Sequence, residues 1–120
     1  MDSFELVSVQ VEQLRDPLVA IIRVKGELDF ATTPRLVEAL AELPAETNLI
    51  FDFSELRFCD SSGLGALIAA YKTASATGAK AYLLAGLTPT VLTAIKVTML
   101  DELFPKRDTA QAALAEVRAE

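Results

Sequence analysis

Leu18-Val19-Ala20-Ile21-Ile22-Arg23-Val24 is an almost unbroken run of apolar, largely β-branched residues. A strand buried on both faces has this composition, because neither face can afford polar side chains. The stretch before it, Phe4 to Val11, alternates apolar and polar residues with the period of a half-buried strand. Asp16-Pro17 supplies a turn between the two, with Pro fixing φ, and Gly26-Glu27-Leu28-Asp29 closes the second strand.

Beyond that hairpin the period changes. Thr32 or Thr33 caps a helix that has Pro34 in its first turn and Leu36, Val37, Leu40 and Leu43 on one face, and Pro44 stops it. Asn48 to Phe53 reads as a short apolar strand, followed by a loop. A second helix is expected over Ser61 to Thr77, with Leu64, Leu67, Ile68 and Tyr71 at helical spacing and Gly78 at its C-terminal cap. Lys80 to Leu84 gives another buried strand, and Thr88-Pro89 opens a third helix carrying Val91, Leu92, Ile95 and Met99. A short strand near Leu103-Phe104 precedes a final helix, Thr109 to Arg118, whose inner side carries Ala112, Ala113, Ala115 and Val117. Strands alternating with helices imply an α/β fold: a mixed, mainly parallel sheet of four to five strands with an antiparallel N-terminal edge strand, and four helices packed on it.

The 120 residues, 52% of them apolar, suit one domain spanning 1–120 with a single core. Net charge is −6, and no Lys/Arg cluster offers the basic patch that nucleic acid requires. The chain has no histidine, so Ser-His-Asp triads, Cys-His pairs and histidine metal sites are excluded. Cys59, the one cysteine, permits no internal disulfide and reads as a packed thiol beside Phe58. Met1-Asp2-Ser3-Phe4-Glu5 has no basic n-region, and the apolar stretch from Leu64 to Tyr71 is too short to span a bilayer. A cytoplasmic protein with no direct membrane insertion is the expectation.

Chemistry concentrates where loops leave the carboxyl ends of parallel strands. Gly26-Glu27-Leu28-Asp29-Phe30 and Cys59-Asp60-Ser61-Ser62-Gly63 are such loops, so Asp29, Asp60 and Ser61 should share a rim. Asp60, Ser61 or Ser62 can each cap the helix that follows, and Gly63 and Gly65 leave the backbone bare for another chain or an anion. A phosphate on an exposed serine here adds about −1.5 to −2 charge at a helix N-terminus, which the fold tolerates and an apolar or acidic partner surface does not. Taken alone, Asp-Ser-Ser-Gly before an apolar run is also what a plain N-cap looks like. Residue chemistry by itself does not choose between cap and switch, or between Ser61 and Ser62.

Asp60-Ser61-Ser62-Gly63-Leu64-Gly65, followed by an apolar helix with Tyr71-Lys72 and Gly78, resembles the STAS domain family. Gly26-Glu27-Leu28-Asp29 matches a second signature of that family, and Thr88-Pro89-Thr90-Val91 with Leu100-Asp101-Glu102-Leu103-Phe104 is similar to its third-helix region. The likeness runs from about Phe4 to Val117 and is greatest to stand-alone bacterial anti-sigma factor antagonists. It implies an unphosphorylated chain that binds an anti-sigma factor, itself a serine/threonine kinase of the histidine-kinase-like ATPase fold, and so frees a sigma factor. It further implies phosphorylation at Ser61, with Ser62 the second candidate, and a serine phosphatase that resets the switch. Asp29, Asp60, Ser61, Ser62, Gly63 and Leu64 would form the partner-binding surface. The kinase would bring ATP and Mg²⁺, so the chain itself would need no cofactor or metal and would not be an enzyme. Two other readings use the same rim: a STAS subunit of a membrane lipid or anion transport complex, and a small-molecule or nucleotide sensor.

Overall fold

A computed structural model describes residues 7–119. The strands are β1 (Val7–Leu14), β2 (Val19–Leu28), β3 (Asn48–Asp52), β4 (Leu56–Cys59), β5 (Tyr82–Ala85) and β6 (Lys106–Arg107). The helices are α1 (Thr33–Ala41), α2 (Ser61–Ala76), α3 (Pro89–Val97) and α4 (Ala110–Ala119). The sheet order is β1-β2-β3-β5-β6, with β4 also on β2. Only β1 runs antiparallel to its neighbour among these strands. The α/β architecture, the antiparallel edge strand and, among the described residues, the four helices are as expected; among those residues the sheet has six strands.

Alternation along the strands explains the layers, because successive side chains point to opposite faces. Ala20, Ile22, Leu49, Phe51 and Leu84 point to one face, in a core with Leu36, Leu64, Leu67, Val91 and Ile95 of α1, α2 and α3. Val19, Ile21, Ile50, Leu83 and Ala85 point to the other, against Ala110, Ala113 and Val117 of α4. The central strands are therefore covered on both sides, which is why Leu18 to Val24 carries so little polarity.

Several expectations are corrected. The first strand runs on to Leu14, and its expected start, Phe4 to Leu6, lies outside the described residues. β2 does not stop at Gly26; it continues to Leu28 because β4 gives that end a partner. The short sixth strand is Lys106–Arg107, while Leu103 and Phe104 follow a 3-10 turn (Leu100–Glu102) that buries Phe104 completely. Met99 is not a buried residue of α3: the helix ends at Val97, and Met99 is left-handed (φ 62°) and 62% exposed. A left-handed residue just past the last turn is a common way to end a helix. On α4 the inward residues are Ala110, Ala113 and Val117, at spacings of three and four, whereas Ala112 and Ala115 face solvent. Arg107 anchors that helix to the sheet edge, donating from Nε and Nη2 to the two carboxylate oxygens of Glu116 at 2.6 and 2.8 Å.

Candidate functional site

β4 builds the site. It pairs with β2 in parallel, Gly26 opposite Leu56, Glu27 opposite Phe58 and Leu28 opposite Cys59, so Arg57 is an extra residue in the ladder. The last rung is the backbone N–H of Asp60 donating to the carbonyl of Leu28 at 2.9 Å. The two chains then part at adjacent points, one into the Asp29 loop and the other into α2. The rim expected from sequence is thus held by main-chain hydrogen bonds.

Each branch is locally rigid. Asp60 is the N-cap of α2, and its Oδ1 accepts from the N–H of Ser62 at 2.8 Å and of Gly63 at 3.3 Å. Of the three candidate caps, the structure selects the aspartate. Ser61 is then the first helical residue and is exposed, and Ser62 is half-buried. On the other branch Asp29 Oδ1 accepts from the N–H groups of Ala31 (2.9 Å) and Thr32 (3.0 Å). Thr32 occupies the N-cap position of α1 but does not cap it; its hydroxyl donates to the carbonyl of Glu27 at 2.7 Å and accepts from the N–H of Asp29 at 2.9 Å. Neither Asp29 nor Asp60 is ion-paired with a lysine or arginine among the described residues.

The two glycines differ, and Gly63 does not leave the bare backbone anticipated for another chain or an anion. It faces inward, and a Cβ there would lie 2.7 Å from Cys59 Sγ and 3.0 Å from Leu28 Cβ. Leu64 is also buried, so both support the rim from beneath while Asp29, Asp60, Ser61 and Ser62 reach its surface. A Cβ on Gly65 would meet nothing within 4 Å. Opposite effects are expected in urea unfolding. Gly63→Ala should destabilise by about 1–3 kcal/mol through overpacking. Gly65→Ala should stabilise by about 0.5–1 kcal/mol through the unfolded-state entropy of glycine.

Cys59 is buried under this floor, and burial, then the charge of Asp60, pushes its thiol from 9.0 up to about 12. The thiol stays protonated in the folded chain at pH values where the unfolded chain ionises. Its contribution to stability is complete below about pH 9 and is lost as pH rises towards 12. Alkylation by iodoacetamide at about pH 8.5 should be slow when folded and fast in denaturant, since thiolate is the nucleophile. Rapid alkylation of the native protein would contradict the packing described.

Phe30, next to Asp29, was part of the loop read from sequence but not among its site residues; it is 83% exposed. No sequence signal distinguishes an exposed loop phenylalanine from a buried one. The groove of about 400 Å³ between α1 and α2, lined by Val37, Leu40, Leu43, Thr47, Ala70 and Thr77 among others, lies towards the amino ends of the strands, away from the rim. Among the described residues no cluster of His, Cys, Asp and Glu could hold a metal ion, and no helix is long and apolar enough to cross a membrane.

Known proteins share this fold. The chain is 28% identical over 115 residues to the anti-sigma F factor antagonist of Paenibacillus polymyxa, covering 92% of this chain and 97% of that one. The crystal structure of an anti-sigma factor antagonist from Mycobacterium paratuberculosis superposes with a TM-score of 0.79 at 30% identity, over 93% of this chain and 94% of that one. The Bacillus cell fate determinant SpoIIAA, in its phosphorylated form, shares the fold with a TM-score of 0.70 at 22% identity, over 92% and 100% of the two chains. The model of the STAS domain matches residues 8–113, and with nearly all of the described fold inside that match the chain belongs to the STAS domain family.

Proposed function

We propose that this protein is an anti-sigma factor antagonist switched by phosphorylation of Ser61. Unphosphorylated, it binds an anti-sigma factor that is also a serine kinase of the histidine-kinase-like ATPase fold, and the sigma factor is released. The kinase then phosphorylates Ser61, the complex dissociates, and a serine phosphatase restores the binding form. The chain catalyses nothing; ATP and Mg²⁺ come with the kinase. The full-length similarity to proteins named as antagonists supports the class of function.

One observation carries the site: an exposed serine follows Asp60, on a rim closed by the Asp60–Leu28 hydrogen bond that also presents Asp29. Two first-turn amides that could neutralise a phosphate are already taken, because Asp60 Oδ1 accepts from Ser62 and Gly63. A phosphate on Ser61 therefore stands beside a carboxylate that already holds those two amides, and about −1.5 to −2 charge is added to the surface. Ser61 is exposed, so a phosphate there needs no space in the core. The charge acts on whatever docks there, so the switch works on binding and leaves folding alone.

A pull-down from native cell extract tests this reading. Wild-type protein is expected to retain an ATPase-fold serine kinase, and the Ser61→Asp variant to lose it. Equal retention by both proteins, or no such kinase on either, would overturn the proposal.

A further inference from the structure

Phe30 is the most exposed of the large apolar side chains among the described residues, at 83%. A single exposed apolar residue is ordinary on a protein surface. This one differs in where it stands and in how it is held. It follows Asp29 directly, and the carbonyl of Leu28, the residue before Asp29, accepts from Asp60 N–H, so Phe30 stands on the loop that leaves the rim beside Ser61. The loop that carries it is closed from both sides. Asp29 Oδ1 holds the N–H groups of Ala31 and Thr32, the Asp29 carbonyl accepts from Thr33 N–H at 2.9 Å, and the Thr32 hydroxyl ties the turn to Glu27. The chain therefore presents an aromatic side chain to solvent on a backbone with little freedom left to lose.

That combination is what an interface anchor requires. Aromatic residues dominate binding energy when they fill a pocket on the partner, and a pre-ordered loop removes much of the ordering cost. The same rim carries Asp29 and Asp60, carboxylates without a cationic partner among the described residues, on a chain of net charge −6. An exposed apolar side chain on an acidic rim calls for an apolar pocket with basic groups near it.

We propose that Phe30 is the apolar anchor of this surface, seated in an apolar pocket with a basic border on the anti-sigma kinase. This rests on the antagonist reading and adds to it. Docking through Phe30 places Ser61 before the kinase and supplies affinity, while phosphate on Ser61 introduces charge at the edge of the same contact.

The test uses the full chain and the purified kinase recovered by wild-type protein. Phe30→Ala should raise the dissociation constant at least about 30-fold, with an unchanged thermal midpoint, and Phe30→Leu should stay within about 5-fold of wild type. As a substrate, Phe30→Ala should show a raised KM with kcat preserved, because Ser61 itself is untouched. The chain has no tryptophan, so Phe30→Trp installs a unique reporter. Its emission should shift to the blue on adding kinase and return when Ser61 is phosphorylated. Binding of Phe30→Ala within about 3-fold of wild type, or tryptophan emission that stays solvent-exposed in the complex, overturns the anchor while leaving the antagonist reading intact. Failure of wild-type protein to retain a kinase overturns the antagonist reading and the anchor with it.

Discussion

Ser61→Asp is expected to weaken binding of the anti-sigma kinase by at least about 100-fold, equivalent to about 2.7 kcal/mol, while moving the thermal midpoint by no more than about 2 °C. The two halves of this expectation come from the same geometry. Ser61 is the first residue of α2 and is exposed, so a carboxylate there needs no cavity and breaks no hydrogen bond. A negative charge in the first turn of a helix is weakly favourable by about 0.3–1 kcal/mol, and the neighbouring Asp60 offsets part of that. Across an interface the balance is different. Charge that matches no partner, placed where water is excluded, costs several kcal/mol. Calorimetry with purified kinase and a thermal melt of each variant together read both halves. A variant that loses binding and also melts much earlier would show the site acting through folding.

Phe104→Ala should cost about 3–5 kcal/mol of stability, a large share of the roughly 5–15 kcal/mol typical of a native domain. The ring is fully buried and packs edge-on against Phe51 at 6.0 Å and Tyr71 at 5.9 Å between centroids. Phe51 continues to Phe53 at 5.8 Å, and Tyr71 to Tyr82 at 5.1 Å. Phe104 thus joins β3, α2 and β5 just before the chain turns into β6, whose approach is fixed by Leu84 N–H donating to the Pro105 carbonyl at 3.0 Å. Truncation leaves a ring-sized void that the surrounding strands cannot collapse into. Urea unfolding should report the loss as a lower midpoint, and a cost below about 1 kcal/mol would mean that the aromatic cluster is not the keystone of this edge.

The long elements were legible because their periodicity is local. The both-face burial of β2, the span of α2 and the Pro starts of α1 and α3 all follow from residues a few positions apart. β4 was not legible, for an identifiable reason. Its buried residues are Leu56 and Cys59, three apart, because the extra residue Arg57 breaks the two-residue period that marks a strand. Yet β4 is the element that closes the rim, so the juxtaposition of Asp29 and Asp60 was inferred from topology without the strand that causes it. The inward turn of Gly63 was equally hidden, since a glycine letter does not say which neighbour needs the space. The loop that carries Phe30 is tied by a hydroxyl, that of Thr32, turning back to Glu27 instead of capping its helix. Such choices lie in tertiary contacts and leave no mark on the local pattern.

Phosphosite mapping tests the central claim most directly. After incubation with the purified kinase, Mg²⁺ and ATP, the intact mass should rise by one phosphate, and fragmentation should place it on Ser61. Ser61→Ala should show no rise, and Ser62→Ala should be modified as wild type is. A phosphate found on Ser62 or elsewhere, or a mass that never changes in the presence of the kinase that the protein binds, would contradict the account.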